Sequence, residues 1–289
     1  MKFKPFLSLL IIFIISYSNT SLGKENDVAN FDISIEKLPT NYKGTDISAL
    51  YSMLSKKIPI NKNEFESTVE YENKLSELVS NNTFAFKLSP TEFNYAGGMN
   101  VAPYNADKEQ YQISIRAVAL SNYTFQDYRS SIIVQTLNRS TSSYIGSNAF
   151  GAKRNVKDFK DSQYGLAFVN KNDFGNKEYE YAYSLASALD SNRIFNFEIG
   201  VSPNKAKILK NNIASLLLCK LALYDAKIKE PHRNIGNNLF FKTNYYIQAT
   251  IDNPNSILHE RNYINVEMLE IWIYDTSTGI ILDKKQLNN

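Results

Sequence analysis

A single cysteine, Cys219, in a chain of 289 residues excludes an internal disulfide. Whatever this chain folds into must therefore be held together by buried apolar surface. Cys219 itself lies in the apolar run Ala214 to Leu223, which predicts a buried, inert thiol. Length is sufficient for such a core: the roughly 265 residues beyond the N-terminal leader would bury about 70–75% of their unfolded surface. The 19 Tyr and 17 Phe supply large rings to fill it.

That leader is read from residues 1–23. Lys2 and Lys4 form a short positive region, Phe6 to Ile15 is nearly all apolar, and Ser21 and Gly23 stand at the −3 and −1 positions of a small-x-small cleavage site. The pattern predicts a secretory signal peptide cut after Gly23, with the mature chain starting at Lys24 and residing in the periplasm or outside the cell. An apolar run of about ten residues is too short to cross about 30 Å of hydrocarbon. No cysteine follows the cut to carry a lipid, and no second long apolar run exists, so no stable membrane insertion is expected after cleavage. Without Lys2 and Lys4 the basic residues fall from 32 to 30 against 29 acids, a net charge of +1. Near-neutrality gives no reason to expect nucleic acid, whose affinity comes largely from phosphate neutralisation.

Residues 24–289 read as one α+β domain, mostly antiparallel β-sheet with a few packed helices; composition leaves room for a division into two lobes near residues 170–190. Phe31, Ile33 and Ile35 alternate with polar residues as in a short strand. Asp46 caps a helix through Ile47, Leu50, Tyr51 and Leu54 that stops before Pro59. A second helix opens at Asn63 or Glu64, with Phe65, Val69, Leu75, Leu78 and Val79 as its apolar stripe, and closes at Asn81-Asn82. Strands follow at 83–88, 111–115, 130–137 and 164–169, with a loop at 90–103. Residues 179–189 read as an irregular or short helical element. Further strands fall at 194–201, 214–224, 245–251 and 263–274. Ser202-Pro203 starts a helix through Ala206, Leu209 and Ile213. Asp252 to Ser256 is a turn, and Asp275 to Gly279 a hairpin turn leading to a return strand at 280–282.

The stretch from Tyr144 to Ala152 stands out. Gly146 and Gly151 bracket Ser147, Asn148, Ala149 and Phe150, and Lys153-Arg154 follow. Glycine within a strand pattern marks a bend or a close approach. Aromatic residues beside paired cations suit a binding surface, so Tyr144, Asn148, Phe150, Lys153 and Arg154 are the candidate binding residues. The competing reading is that these rings pack in the sheet.

Strong catalytic signatures are missing from the sequence. The two histidines, His232 and His259, have no second ligand at metal-binding spacing, and Ser256 to Asn262 reads as an exposed turn. Gly146-Ser147-Asn148 lacks the closing glycine of a nucleophile elbow. An apolar setting raises the pKa of Cys219. Gly97-Gly98 is followed by no Lys-Ser/Thr, and Asp252 to Ser256 and Asp275 to Gly279 hold too few acids for calcium. No cofactor and no metal is expected.

Four segments carry a resemblance. Glu64 to Lys74 resembles an F-E-T-x-x-E-Y-E-x-R helix start, with Lys74 in the Arg position. Tyr104 to Lys108 resembles a Y-D-A-D-K turn, with Asn105 in place of Asp. Tyr144 to Ala152 resembles a Y-x-G-x-N-A-F-G segment, and Ser202 to Ala206 an S-P-x-x-A helix start. In this order, across residues 64–206, they are similar to uncharacterised exported proteins of Gram-negative bacteria. The resemblance implies an envelope or secreted location and no defined activity. The leading expectation is a non-enzymatic protein that binds another envelope or secreted protein, an immunity-type inhibitor being a special case. The alternative is a periplasmic hydrolase using carboxylates or an unrecognised nucleophile.

Overall fold

A computed structural model describes residues 30–59, 61–79, 82–91, 97–120, 129–147, 149–169, 193–224 and 235–287. Of the described residues, 53% lie in strands and 14% in helices, a mostly-sheet α+β fold. The expected element at 179–189 and its neighbouring lobe division lie outside the described residues.

The organising element is β10 (Asn255–Asp275), a strand of 21 residues with two sets of neighbours. Its first half pairs in parallel with β5 (Lys153–Phe168) and antiparallel with β9 (Phe240–Ile247). Its second half pairs antiparallel with β7 (Ile213–Leu221) and β11 (Ile281–Gln286). The ladder to β7 shifts register between Met268 and Glu270, a bulge that bends the strand where its partners change. β1 (Thr83–Leu88) flanks β7, and β4 (Ser130–Ser147) flanks β5. β8 (Ile235–Gly236) pairs β9.

A smaller layer covers one face of this sheet. β3 (Gln110–Ala119) joins β4 at its end, through Val118 and Ala119, and pairs along its length with β2 (Gly98–Val101) and β6 (Arg193–Gly200). Tyr111, Ile113 and Ile115 of β3 and Phe195, Phe197 and Ile199 of β6 share one core with Phe84, Phe86, Leu217, Ile264 and Ile271 of the large sheet. α1 (Ile47–Lys57) closes the rim, its N-cap Asp46 accepting from Ser48 and Ala49. Burying Ile47, Leu50, Tyr51 and Leu54 contributes about 1.5–3 kcal/mol for each large apolar side chain. α2 (Thr68–Leu78) and α3 (Pro203–Leu209) complete the described helices.

β7 is buried on both faces, as its apolar run suggests. Its second face belongs to a cluster of Leu38, Ala85, Ala214, Leu216, Leu218, Trp272 and Tyr274, capped by Phe31, Ile35 and Tyr42. Residues 31–35 are therefore not the expected strand. They form a turn and a strap, because Asp32 captures Ser34 while Phe31 sets its ring edge against Trp272 at 5.5 Å.

Other expectations need correction. The second helix starts at Thr68, not at 63–64, because Ser67 and Glu70 form a reciprocal capping box. It buries Tyr71 and Leu75 and leaves Phe65 and Val69 exposed. The 90–103 loop contains β2, anchored on β3. Ile213 opens β7 instead of ending α3. The strand expected at 245–251 begins at Phe240, and that expected at 263–274 begins at Asn255.

Candidate functional site

β4 and β5 are long enough to run past the packed body. From Ser140 outward β4 is largely exposed, and its described residues beyond Ser131 pair only with β5. Two bulges, between Ile133 and Gln135 and between Leu137 and Ser140, interrupt its ladder, with Asn138 in the left-handed region. Bulges and the exposed Arg139 blunt this free edge against strand addition.

The glycine-bracketed stretch closes this hairpin. The final pairs are Tyr144 with Val156, Ile145 with Asn155, Gly146 with Arg154 and Ser147 with Lys153. Side chains alternate across a strand, so Tyr144 and Arg154 share one face while Ile145 and Lys153 share the other. Gly146 serves packing: a Cβ there would meet Val156 Cγ2 at 3.0 Å and the Tyr144 ring at 3.6 Å. Gly151 serves the turn, with φ +81 and open space around it.

Of the five candidate residues, Tyr144 is 50% exposed and Phe150, in the turn, is 95% exposed. Lys153 and Arg154 begin β5 and are exposed. Asn148 lies outside the described residues. An Arg154 Nη donates to the carbonyl of Ile251, tying the tip to the β9–β10 connection. Two residues that the sequence reading missed join the patch, Ile145 and Ile251, both exposed. Isoleucine in a strand pattern gives no sign of facing water, so nothing local marked them.

A second cluster sits where β5 and β10 run parallel. His259 stands opposite Asp161, and its Nδ1 donates to Asp161 Oδ1 at 2.7 Å. Gln163 Nε2 lies 3.1 Å from the same nitrogen, while Gln163 Oε1 accepts from Arg261 Nε at 3.0 Å. The Arg261 guanidinium lies 4.6 Å from the Tyr245 ring centroid, and that ring stacks on His259 at 6.0 Å. His259 is thus a half-buried strand residue, not part of an exposed turn. The correction follows from β10 beginning at Asn255. Any hydrolase reading would centre here, yet the groups within hydrogen-bond distance of His259 Nδ1 among the described residues are the Asp161 carboxylate, which accepts from it, and the Gln163 amide nitrogen, itself a donor, with no hydroxyl or thiol. The cluster laces β5, β9 and β10 together.

The third charged feature lies deeper. Arg129 is sandwiched 4.0 Å from the Tyr224 ring centroid and 4.3 Å from that of Phe241. Its Nη1 donates to Asn265 Oδ1 at 2.5 Å, and Asn265 Nδ2 donates to the Asn238 carbonyl at 2.8 Å. Asn265 is fully buried where β10 passes from β9 to β7, so this pair satisfies polar groups at a gap between two ladders.

Cys219 is wholly buried opposite Phe84 and Met268, and burial pushes its thiol well above the ordinary range. Among the described residues no three His, Cys, Asp or Glu side chains group to hold a metal ion. No helix of the described residues is long and apolar enough to cross a membrane. Compared with protein-family models, with curated proteins and with solved structures, the chain matches none.

Proposed function

We propose that this chain is an exported, non-enzymatic binding protein that meets its partner with the tip of the β4–β5 hairpin. One observation carries the reading: Tyr144, Ile145, Phe150 and Ile251 all face water at one end of the molecule. Scattered exposed apolar residues are ordinary, but a group of them at the end of a projecting hairpin, beside cations, is the pattern of an interaction site. The signal-peptide pattern at residues 1–23 and the resemblance to exported Gram-negative proteins support a periplasmic or secreted setting.

The test replaces Phe150 by a photo-crosslinking residue in producing cells, with Ile208 on α3, 64% exposed, as the control position. A discrete adduct from position 150 and none from 208 is the expected result. Absence of any adduct at 150, to protein and to lipid alike, in a chain that still folds and is exported, overturns the reading.

A further inference from the structure

We propose that the surface engaged by the hairpin tip is an anionic lipid bilayer, which the tip enters to headgroup depth without crossing it. This proposal rests on the tip being the binding site and goes on to name the partner.

Two observations favour a bilayer over a protein. The first is two-sidedness. Tyr144 is exposed on one face of the hairpin, Ile145 on the other, and Phe150 stands at the end. A flat protein patch would engage only one of those faces, and a protein partner would need a cleft that takes in both. A wedge with apolar groups on both faces can be surrounded by acyl chains, which have no fixed shape. The second is charge. Between Arg139 and Lys160 the hairpin holds Arg139, Lys153, Arg154, Lys157 and Lys160 against Asp158 alone, net +4, while the whole sequence is only +3. Lys160 is answered by Glu260 at 2.9 Å, and the β9–β10 connection adds one acid, Asp252. The cations nearest the end, Lys153 and Arg154, lie on opposite faces, set back from Phe150 by the turn. Apolar end and basic collar match the two layers of an anionic membrane surface, acyl chains beneath and phosphates above.

The exported protein is mixed with phosphatidylcholine vesicles and with phosphatidylglycerol/phosphatidylcholine vesicles and sedimented. Wild type, Ile145→Ser/Phe150→Ser, Lys153→Glu/Arg154→Glu and the control Ile208→Ser share one N-terminus, so differences report on the tip. Thermal melting confirms that each variant folds. The expected result is sedimentation with the phosphatidylglycerol vesicles, weakened by salt. Each double substitution should lower the partition coefficient by roughly tenfold or more, and Ile208→Ser should leave it unchanged. A Phe150→Trp chain should shift its emission to the blue on the same vesicles.

Failure to bind phosphatidylglycerol vesicles, while position 150 still crosslinks a protein, overturns the lipid proposal and leaves the tip as a binding site. Failure of both overturns both. Vesicle binding that survives the two double substitutions overturns the tip as the lipid site.

Discussion

His259 Nδ1 and Asp161 Oδ1 meet at 2.7 Å across the parallel seam of β10 and β5, 98 residues apart in the chain. The side chains are 21% and 12% exposed, so solvent screens the pair only in part, and its worth is that of a partly buried hydrogen bond. Asp161→Asn and His259→Gln should each lower unfolding stability by about 1 kcal/mol. A double-mutant cycle in urea should return a coupling of similar size. Additive effects would mean that the seam does not depend on the pair.

Asp275 makes the fold sensitive to acid. Burial alone would push its carboxyl up, but hydrogen bonds from Thr278 and Ser277 outweigh that and hold it below the ordinary carboxylate range. A carboxyl depressed in the folded state stabilises the fold above its unfolded pKa, near 3.9, and that contribution fades as pH falls through the lower folded value. Wild type should therefore lose stability below about pH 4, and Asp275→Asn should flatten that part of the curve. Melting temperatures between pH 2 and 7 would check it.

Two turn glycines should behave differently. Gly279 has φ +76, and a Cβ there would lie 1.9 Å from the Leu38 carbonyl oxygen, on the strap that covers Trp272. Gly279→Ala adds that collision to left-handed strain and should cost more than about 3 kcal/mol. Gly151 has φ +81 with nothing within 4 Å, so Gly151→Ala should cost only about 1–2 kcal/mol. Chemical denaturation of both variants measures the contrast.

The Tyr51 hydroxyl is buried, with no hydrogen-bond partner among the described residues, while its ring packs edge-on against Tyr164 and Phe240. Burial drives its pKa upward, so the hydroxyl stays neutral. Tyr51→Phe keeps the ring contacts and removes an unsatisfied group, and should raise stability by about 1 kcal/mol. A lower melting temperature would show that the hydroxyl has a partner in solution.

Phe150→Ala should change stability by less than about 0.5 kcal/mol, since the ring is 95% exposed. Trp272→Ala, which empties the cluster around a fully buried indole, should cost about 3–5 kcal/mol. Unfolding by Phe150→Ala would restore the reading in which the ring packs.

What the sequence determined on its own was local. Asp46 and the Leu50–Leu54 stripe specify α1, the Phe84–Leu88 alternation gives β1, and Asp275 to Gly279 sets the last hairpin. Pro203 starts α3 by its fixed φ, while the Ser202 side chain makes none of the capping bonds expected of it. Each depends on hydrogen bonds, periodicity or backbone preference within a few residues. Tertiary structure decided what depends on partners far along the chain. Phe31 leaves its strand pattern because Trp272 offers a ring to pack against, and Gly98–Val101 is a strand because β3 lies beside it. His259 leaves the surface because β10 starts early enough to run along β5. The tip residues show the same limit. Alternation assigns Tyr144 and Ile145 to opposite faces, but burial depends on what reaches each face: Val156, paired with Tyr144, is buried and the β9–β10 connection meets Arg154 there, while Tyr144 and Ile145 stay exposed.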